Sequence, residues 1–501
     1  MFWADQVSKE LLERKLKLEW VDDMKTPSGK IHVGALRGVV VHDLVYKALK
    51  DNNVNAKYTY IFDDQDPMDD LPTYLPEEFR QYLGQPLFTV KSPDPSYESY
   101  AQYYALDFKK VFNAIDCEPE IIWASNLYKS GKLNPVIKEC LDQSDKIKKI
   151  YEKIYEKKLR DDWFPFKPVC QKCGKIATTR VFAWDGEMVH FVCEDLNYTK
   201  GCQNKSNQSP FSSEDFFAGK LPWKVEWAAK WKALGVTVEG AGKDHMSKGG
   251  SHDLASLVAK DVLRYPVPYP VSYEWFLVGG RKMSTSKGVG VTASEMLEIL
   301  PPEILRFLMV RYKKDQQINF DPDGETIPKL FDDYQKAAKA YFSNKGDDTA
   351  RIFELSQLGK PKRPPEISFM QIVRWYQSPN MHEQLMKENV DEWLAYVKIW
   401  IDRFASDDIK FKLAPSLPET AKDLTKNQKE FLLKIDLSKD WDGDEFQKQL
   451  FEWAKESNIT SKEAFSAIYL TLIGKNYGPK AGWIILQNRE FARNRFKELQ
   501  F

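Results

Sequence analysis

Residues 19 to 62 read EWVDDMKTPSGKIHVGALRGVVVHDLVYKALKDNNVNAKYTYIF. Residues 19 to 24 predict a short strand, and Pro27-Ser28-Gly29 a turn. Residues 34 to 50 predict a helix, and KYTYIF at 57 to 62 a second strand. Strand, helix and strand in that order imply a right-handed parallel crossover. Ligands of such a layer sit beyond the C-terminal ends of its strands. Two polar loops fall there, 26 to 34 and 63 to 66.

Working outward, a proline-rich stretch from 67 to 95 punctuates the unit, 97 to 112 predicts a helix and 120 to 123 a strand. Ile147, Ile150, Tyr151, Ile154, Tyr155 and Leu159 recur three or four apart, the spacing of one amphipathic helix. The mixed charges from 146 to 162 read as its solvated face. Between 170 and 211 the composition shifts to Cys, Gly, Thr, Asn and Ser around short alternating strands, which marks an insert. The α/β pattern then resumes, with helices at 227 to 234 and 250 to 263 and strands at 236 to 238 and 274 to 278. Pro301 and Pro302 separate helices predicted at 294 to 300 and 303 to 312. From 326 onward the spacing is almost entirely helical, with a linker expected at 346 to 363. The domains expected are therefore a first α/β part at 1–165, an insert at 166–215, a second α/β part at 216–325 and an all-helical domain at 326–501.

Composition narrows the function. The chain has 501 residues and 43% hydrophobic content, enough for several cores, and its 73 basic groups balance 73 acidic ones. Attraction to a polyanion must then come from local patches. The opening MFWADQVSKELLERK is not a secretory leader, and no run of 18 apolar residues offers a membrane span. Six cysteines suit a reducing compartment, so a cytoplasmic protein with no membrane partner is expected.

Two loops carry the chemical signal, T26-P-S-G-K-I-H-V-G34 and G279-G-R-K-M-S-T-S-K-G288. Glycines let backbone approach a phosphate, and a helix starting near Gly34 presents unpaired N–H groups. Lys282 and Lys287 supply positive charge. The G-x-x-x-x-G-K-[ST] pattern is absent, which disfavours an ordinary P-loop. Either loop alone reads as an ordinary turn; the pair is the signal.

HVGA at 32 to 35 and KMSTS at 282 to 286 resemble the HIGH and KMSKS signatures of class I aminoacyl-tRNA synthetases. With DDMKTPSGKIHVGALRG at 22 to 38, YIFDDQDPMDDLP at 60 to 72 and GAGKDHMSKGGSHD at 240 to 253, residues 1 to about 330 resemble the class I lysyl-tRNA synthetases. The resemblance implies a Rossmann-like parallel-sheet catalytic domain interrupted by a zinc-bearing insert, followed by an all-helical anticodon-binding domain. It implies lysine–tRNA ligase activity, with ATP, magnesium, L-lysine and tRNA(Lys) as partners, and a monomer is expected. Catalytic roles fall to His32, Lys282 and Lys287, and ATP contacts to Pro27, Gly29, His32, Gly34, Lys282, Met283, Ser284 and Ser286. The sequence departs from the signatures at Ala35, where the second histidine would stand, and at Thr285, where lysine is usual. Lys287 is then the cation expected to reach the triphosphate.

Lysine needs acceptors for its ammonium groups and an apolar wall for its stem. Asp63 and Asp64, with Asp66 beside them, are the acidic candidates, and Trp223 is the candidate wall. Resemblance adds Thr26, Gly29, Asp244 and His245 to the lysine pocket. Which carboxylate meets which ammonium stays open. The acidic loop and Trp223 argue against a glutamyl-type synthetase, the nearest enzymatic alternative; a catalytically silent tRNA-binding zinc protein is the other. In the insert, Cys170 and Cys173 have knuckle spacing, and Cys193 and Cys202 complete a four-sulfur set for structural zinc, with His190 as a substitute ligand. Cys117 and Cys140 stand alone and read as buried hydrophobes. Among the C-terminal helices, Arg374, Trp375, Tyr376 and Lys387, or Lys475, Tyr477, Lys480 and Arg495, are candidate RNA contacts.

Overall fold

The structure, a computed structural model, describes residues 1–280 and 291–500, apart from the side chains of Pro379 and Gln500. Its central sheet has five parallel strands: β1 (Glu19–Lys25), β2 (Ala56–Phe62), β3 (Glu120–Trp123), β4 (Val238–Glu239) and β5 (Tyr269–Pro270). Their spatial order is β5-β4-β1-β2-β3, so the direction of winding reverses at β1. The register sets Asp22 opposite both Thr59 and Glu239. β2 is buried from Tyr58 to Phe62, the continuous burial of a strand covered on both faces.

Helix α1 (Leu36–Asp51) follows the first loop and is buried from Leu36 to Val45, so its polar residues must find partners inside. Arg37 donates to the carbonyls of Met309 and Lys313, both at 2.6 Å. Asp43 accepts from Arg306 at 2.6 Å. His42 Nδ1 sits 2.8 Å from the Gly38 carbonyl, which only a protonated nitrogen can satisfy. Its Nε2 therefore accepts the Gly240 N–H at 3.0 Å, and the ring is neutral. α1 is thereby fastened to β4 and to the helix Pro302–Val310.

Three elements differ from the sequence reading. The expected strand at 274–278 does not join the central sheet; Phe276–Val278 pairs with Ile318–Phe320 in a separate parallel pair. The sheet edge is instead Tyr269–Pro270, hidden in the run YPVPYP because proline reads as a strand breaker, although an edge strand tolerates it. The helix expected at 250–263 is α-helical over Ser251–Leu257 and continues as a π-turn over Val258–Val262. The stretch 346–363, read as a linker, contains the helix Asp348–Leu355, whose Arg351 donates to Asp5 at 3.0 Å and Asp51 at 2.5 Å.

The insert is a three-stranded antiparallel sheet, Thr179–Trp184, Val189–Cys193 and Lys205–Gln208. Its entry and exit strands, Lys167–Pro168 and Gly219–Lys220, pair with each other and close its base. Gly219 stands at φ +148°, and a Cβ there would lie 2.2 Å from the Lys167 carbonyl oxygen, so only glycine fits the closure.

The chain divides into two compact units, Met1–Asp321 with Lys339–Lys362, and Pro322–Ala338 with Arg363–Phe501. The described residues of the second unit are helical with no strand, around a core that includes Phe431, Phe446, Leu450, Ile468 and Ile485. Several candidate RNA contacts there are engaged within the unit. Lys475 donates to the Lys410 carbonyl at 2.5 Å, Tyr477 to the Asp408 carbonyl at 2.9 Å and Lys480 to Asp444 at 2.5 Å, while Arg495 is buried.

Candidate active site

A cleft of about 560 Å³ opens at the C-terminal ends of β1 and β4, where the strand order reverses. Its first wall is the loop 26–34, held from three sides. Thr26 Oγ1 donates to Asp66 at 2.5 Å, Tyr100 OH to the Ser28 carbonyl at 2.9 Å, and the Lys30 N–H to Tyr74 OH at 2.8 Å. The loop then turns through Val33–Ala35 into α1, whose N-terminal end opens on the cleft with Gly34 and Ala35 in the lining. The positive end of that helix dipole faces the cavity.

The chain at 291–293 lies against the first loop. Val33 N–H donates to the Val291 carbonyl at 2.9 Å and Ala293 N–H to the Ile31 carbonyl at 3.0 Å, forming an antiparallel bridge between His32 and Thr292. Thr292 also caps the helix Ala293–Ile299 in a reciprocal box with Glu295. Residues 281–290, which include Lys282, Met283, Ser284, Ser286 and Lys287, lie outside the described residues. Their C-terminal neighbour, Val291, is nonetheless hydrogen-bonded beside the histidine of the first loop.

Of the remaining sequence candidates, Thr26, His32, Gly34, Asp63, Trp223, Asp244 and His245 line the cleft; Pro27, Gly29 and Asp64 do not. Asp64 turns to Ser125, accepting its N–H at 2.8 Å and its hydroxyl at 2.5 Å. Burial nevertheless pushes its carboxyl up to about 6.

Asp63 and Asp66 belong to a buried charge network. Lys230 pairs with Asp63, Lys220 pairs with Asp66, and Lys220 lies 2.8 Å from Glu226. Glu226 also accepts from Tyr128 at 2.6 Å and Gln65 at 3.0 Å. Burial raises the Asp63 carboxyl despite Lys230. At Asp66 the same burial is overcome by Lys220 and Thr26, which hold that carboxyl below its ordinary value.

An aromatic wall faces these acids. Helix α2 (Trp223–Leu234) presents Trp223, Trp227 and Trp231 at four-residue spacing. His245 lies edge-on to Trp223 at 5.5 Å, and His252 packs 5.7 Å from Trp227 and 5.8 Å from Trp231. Trp227 and Trp231 both donate their indole N–H to Glu239, Trp227 at 2.5 Å.

Sequence reasoning missed Asp23, Trp227, Glu239 and Tyr273, all of which line the cleft. Gly38 marks two of them: a Cβ there would lie 2.6 Å from Tyr273 OH and 2.9 Å from Asp23 Oδ2. The signal available was the glycine itself, placed inside a predicted helix, where only close approach of other groups favours it.

In the insert, the sulfurs of Cys170, Cys173, Cys193 and Cys202 all lie within 4.8 Å of one another. Cys170 and Cys202 are 3.5 Å apart and Cys173 and Cys193 3.7 Å. A tetrahedron of Zn–S bonds would set sulfurs roughly 3.8 Å apart, so the spacing fits a four-sulfur metal site. The Cys202 N–H donates to Cys193 Sγ at 3.3 Å, a contact that orients a thiolate. His190 lies apart from the cluster, 3.0 Å from Asp185. Cys117 and Cys140 are buried singly, as expected.

Comparison with known proteins agrees with this geometry. The family described as "tRNA synthetases class I (K)" matches residues 1–359. The lysine–tRNA ligase of Methanosarcina barkeri is 34% identical, covering 99% of this chain and 97% of that protein. That of Picrophilus torridus is also 34% identical, over 95% of each. Among solved structures, a glutamate tRNA ligase from Elizabethkingia meningosepticum is similar over 96% of this chain and 99% of its own, at 12% identity and a TM-score of 0.48. Family match and relatives of full length agree, and the chain belongs to the class I lysyl-tRNA synthetases.

Proposed function

We propose that this chain is a lysine–tRNA ligase, activating L-lysine with ATP and transferring it to the 3′ end of tRNA(Lys). The observation that carries the reading is the bridge between His32 and Thr292, which holds the chain just beyond residue 290 against the first loop at the edge of an acid-lined cleft.

In the first step the lysine carboxylate attacks the α-phosphate in line and pyrophosphate leaves; in the second the terminal ribose hydroxyl of the tRNA attacks the adenylate carbonyl. The adenylate is already an activated acyl group, so no enzyme nucleophile is required. Positioning and charge neutralisation carry the catalysis. His32 and the N-terminal end of α1 face the phosphates, while Lys282 and Lys287 neutralise the leaving group. Removing one such donor costs about 3 kcal/mol in the transition state. Magnesium would accompany the pyrophosphate. Trp223 and Trp227 wall the lysine stem, Thr26, Asp63, Asp244 and His245 border it, and the four cysteines hold structural zinc that organises the insert and activates no water. The helical second unit reads as the anticodon-binding part, with the divisions near 165, 215 and 325 as the working boundaries.

Amino-acid-dependent pyrophosphate exchange, run across the twenty amino acids with and without tRNA, tests this reading. Exchange with lysine supports it. Exchange with glutamate instead would move the chain to the glutamyl type, and stable tRNA binding with no exchange under any amino acid would make it a silent tRNA-binding protein.

A further inference from the structure

The cleft is rich in carboxylates, but most of them already have a cation or a backbone donor. Asp63 and Asp66 pair with Lys230 and Lys220. Asp23 accepts the Met24 N–H at 2.8 Å and faces His42 and Lys25. Glu239 differs. It is 1% exposed, lines the cleft, and its partners are two neutral indole donors, Trp227 on one oxygen and Trp231 on the other. Among the described residues it makes no ion pair.

The cations that line the cleft are engaged elsewhere. Lys25 acts on Asp23, and Arg37 donates to two backbone carbonyls. The charged and titratable groups that face Glu239 from neighbouring elements are Asp22 and Asp23 on β1 and Tyr273 beyond β5. Burial and these acids push the Glu239 carboxyl well above its ordinary value, as expected of a buried charge with no counterion. Two indole N–H groups, each on its own oxygen, preset the orientation of the carboxylate and leave its remaining lone pairs for a further donor.

We propose that Glu239 is the specificity-determining carboxylate that receives the side-chain ammonium of lysine, while its hydrogen bonds to Trp227 and Trp231 fix the aromatic wall beside the stem. The inference rests on the lysine reading above. The incoming ammonium supplies the charge that Glu239 lacks, whereas Asp63 and Asp66 would have to release a buried lysine to do the same.

The test measures pyrophosphate exchange with lysine and with norleucine, which keeps the four-carbon stem and lacks the ammonium, for the full chain and for Glu239→Gln. The variant is expected to raise the KM for lysine by roughly 100-fold, leave the KM for ATP unchanged and lose most of the preference for lysine over norleucine. A preference equal to that of the parent chain overturns the inference. Should Glu239→Gln fail to fold, a crystal structure of the parent chain with lysine decides: the side-chain nitrogen is expected within about 3 Å of the Glu239 carboxylate. Lysine bound with that nitrogen against Asp63 or Asp66 overturns the assignment of Glu239 and leaves the ligase standing. Absence of lysine-dependent exchange in the parent chain removes the ligase reading itself.

Discussion

Replacing Lys230 with methionine probes the buried network that shapes the cleft floor. The Lys230 side chain is 1% exposed and Asp63 only 12%, so water screens their pairing little. Three carboxylates, Asp63, Asp66 and Glu226, meet two ammonium groups, and Lys230→Met leaves three against one. Removing one partner of a buried pair costs about 3–5 kcal/mol, because the remaining charge has lost its compensation. Asp63 can escape part of that cost by taking a proton. Burial already raises its carboxyl, so the destabilisation should shrink as pH falls into the range of that raised carboxyl and grow as pH rises above it, the unfolded chain releasing that proton more readily. The double variant Lys230→Met with Asp63→Asn restores the parent net charge and should recover about 2 kcal/mol of the loss. Opening free energies from amide hydrogen exchange over 223–234, measured across a urea series, isolate this part of a chain with two compact units. A single variant destabilised by less than about 1 kcal/mol, or a double variant no more stable than Lys230→Met, would refute the claim that this network depends on matched charge.

Asp64→Asn should leave lysine activation unchanged, because that carboxyl faces Ser125 and not the cleft. Its folded value of about 6 lies above the unfolded value near 4, so the parent chain loses stability as pH rises between them, and urea midpoints should show Asp64→Asn free of that loss of about 3 kcal/mol. Cys173→Ser should purify with zinc well below one equivalent and increase amide exchange over 170–202; full metal content would remove it as a ligand. Lys282→Ala should slow single-turnover adenylate formation by roughly 100-fold with little change in lysine affinity, and an unchanged rate would count against its role.

Much of the site was legible because its determinants are local. The first loop announces itself through glycines and a histidine between strand and helix, and the four sulfurs through spacing. Asp64 shows the limit: it and Asp63 are adjacent in sequence, yet alternate side chains leaving a strand diverge, and Ser125 from beyond β3 takes one while Lys230 takes the other. Glu239 was invisible for a related reason. In VTVEGAG it is one acid in a two-residue strand, and nothing local says that two tryptophans on α2 converge on it or that Asp22 lies opposite. The same holds for Arg37 and His42: only the burial of α1 from Leu36 to Val45 turns Arg37 into a donor to the Met309 carbonyl and His42 into the acceptor of the Gly240 N–H. A charge in this fold is thus assigned by what covers it. Lys220 and Lys230 are buried, and their pairing takes Asp63 and Asp66 out of competition for a cationic substrate and concentrates selectivity on the carboxylate they do not reach.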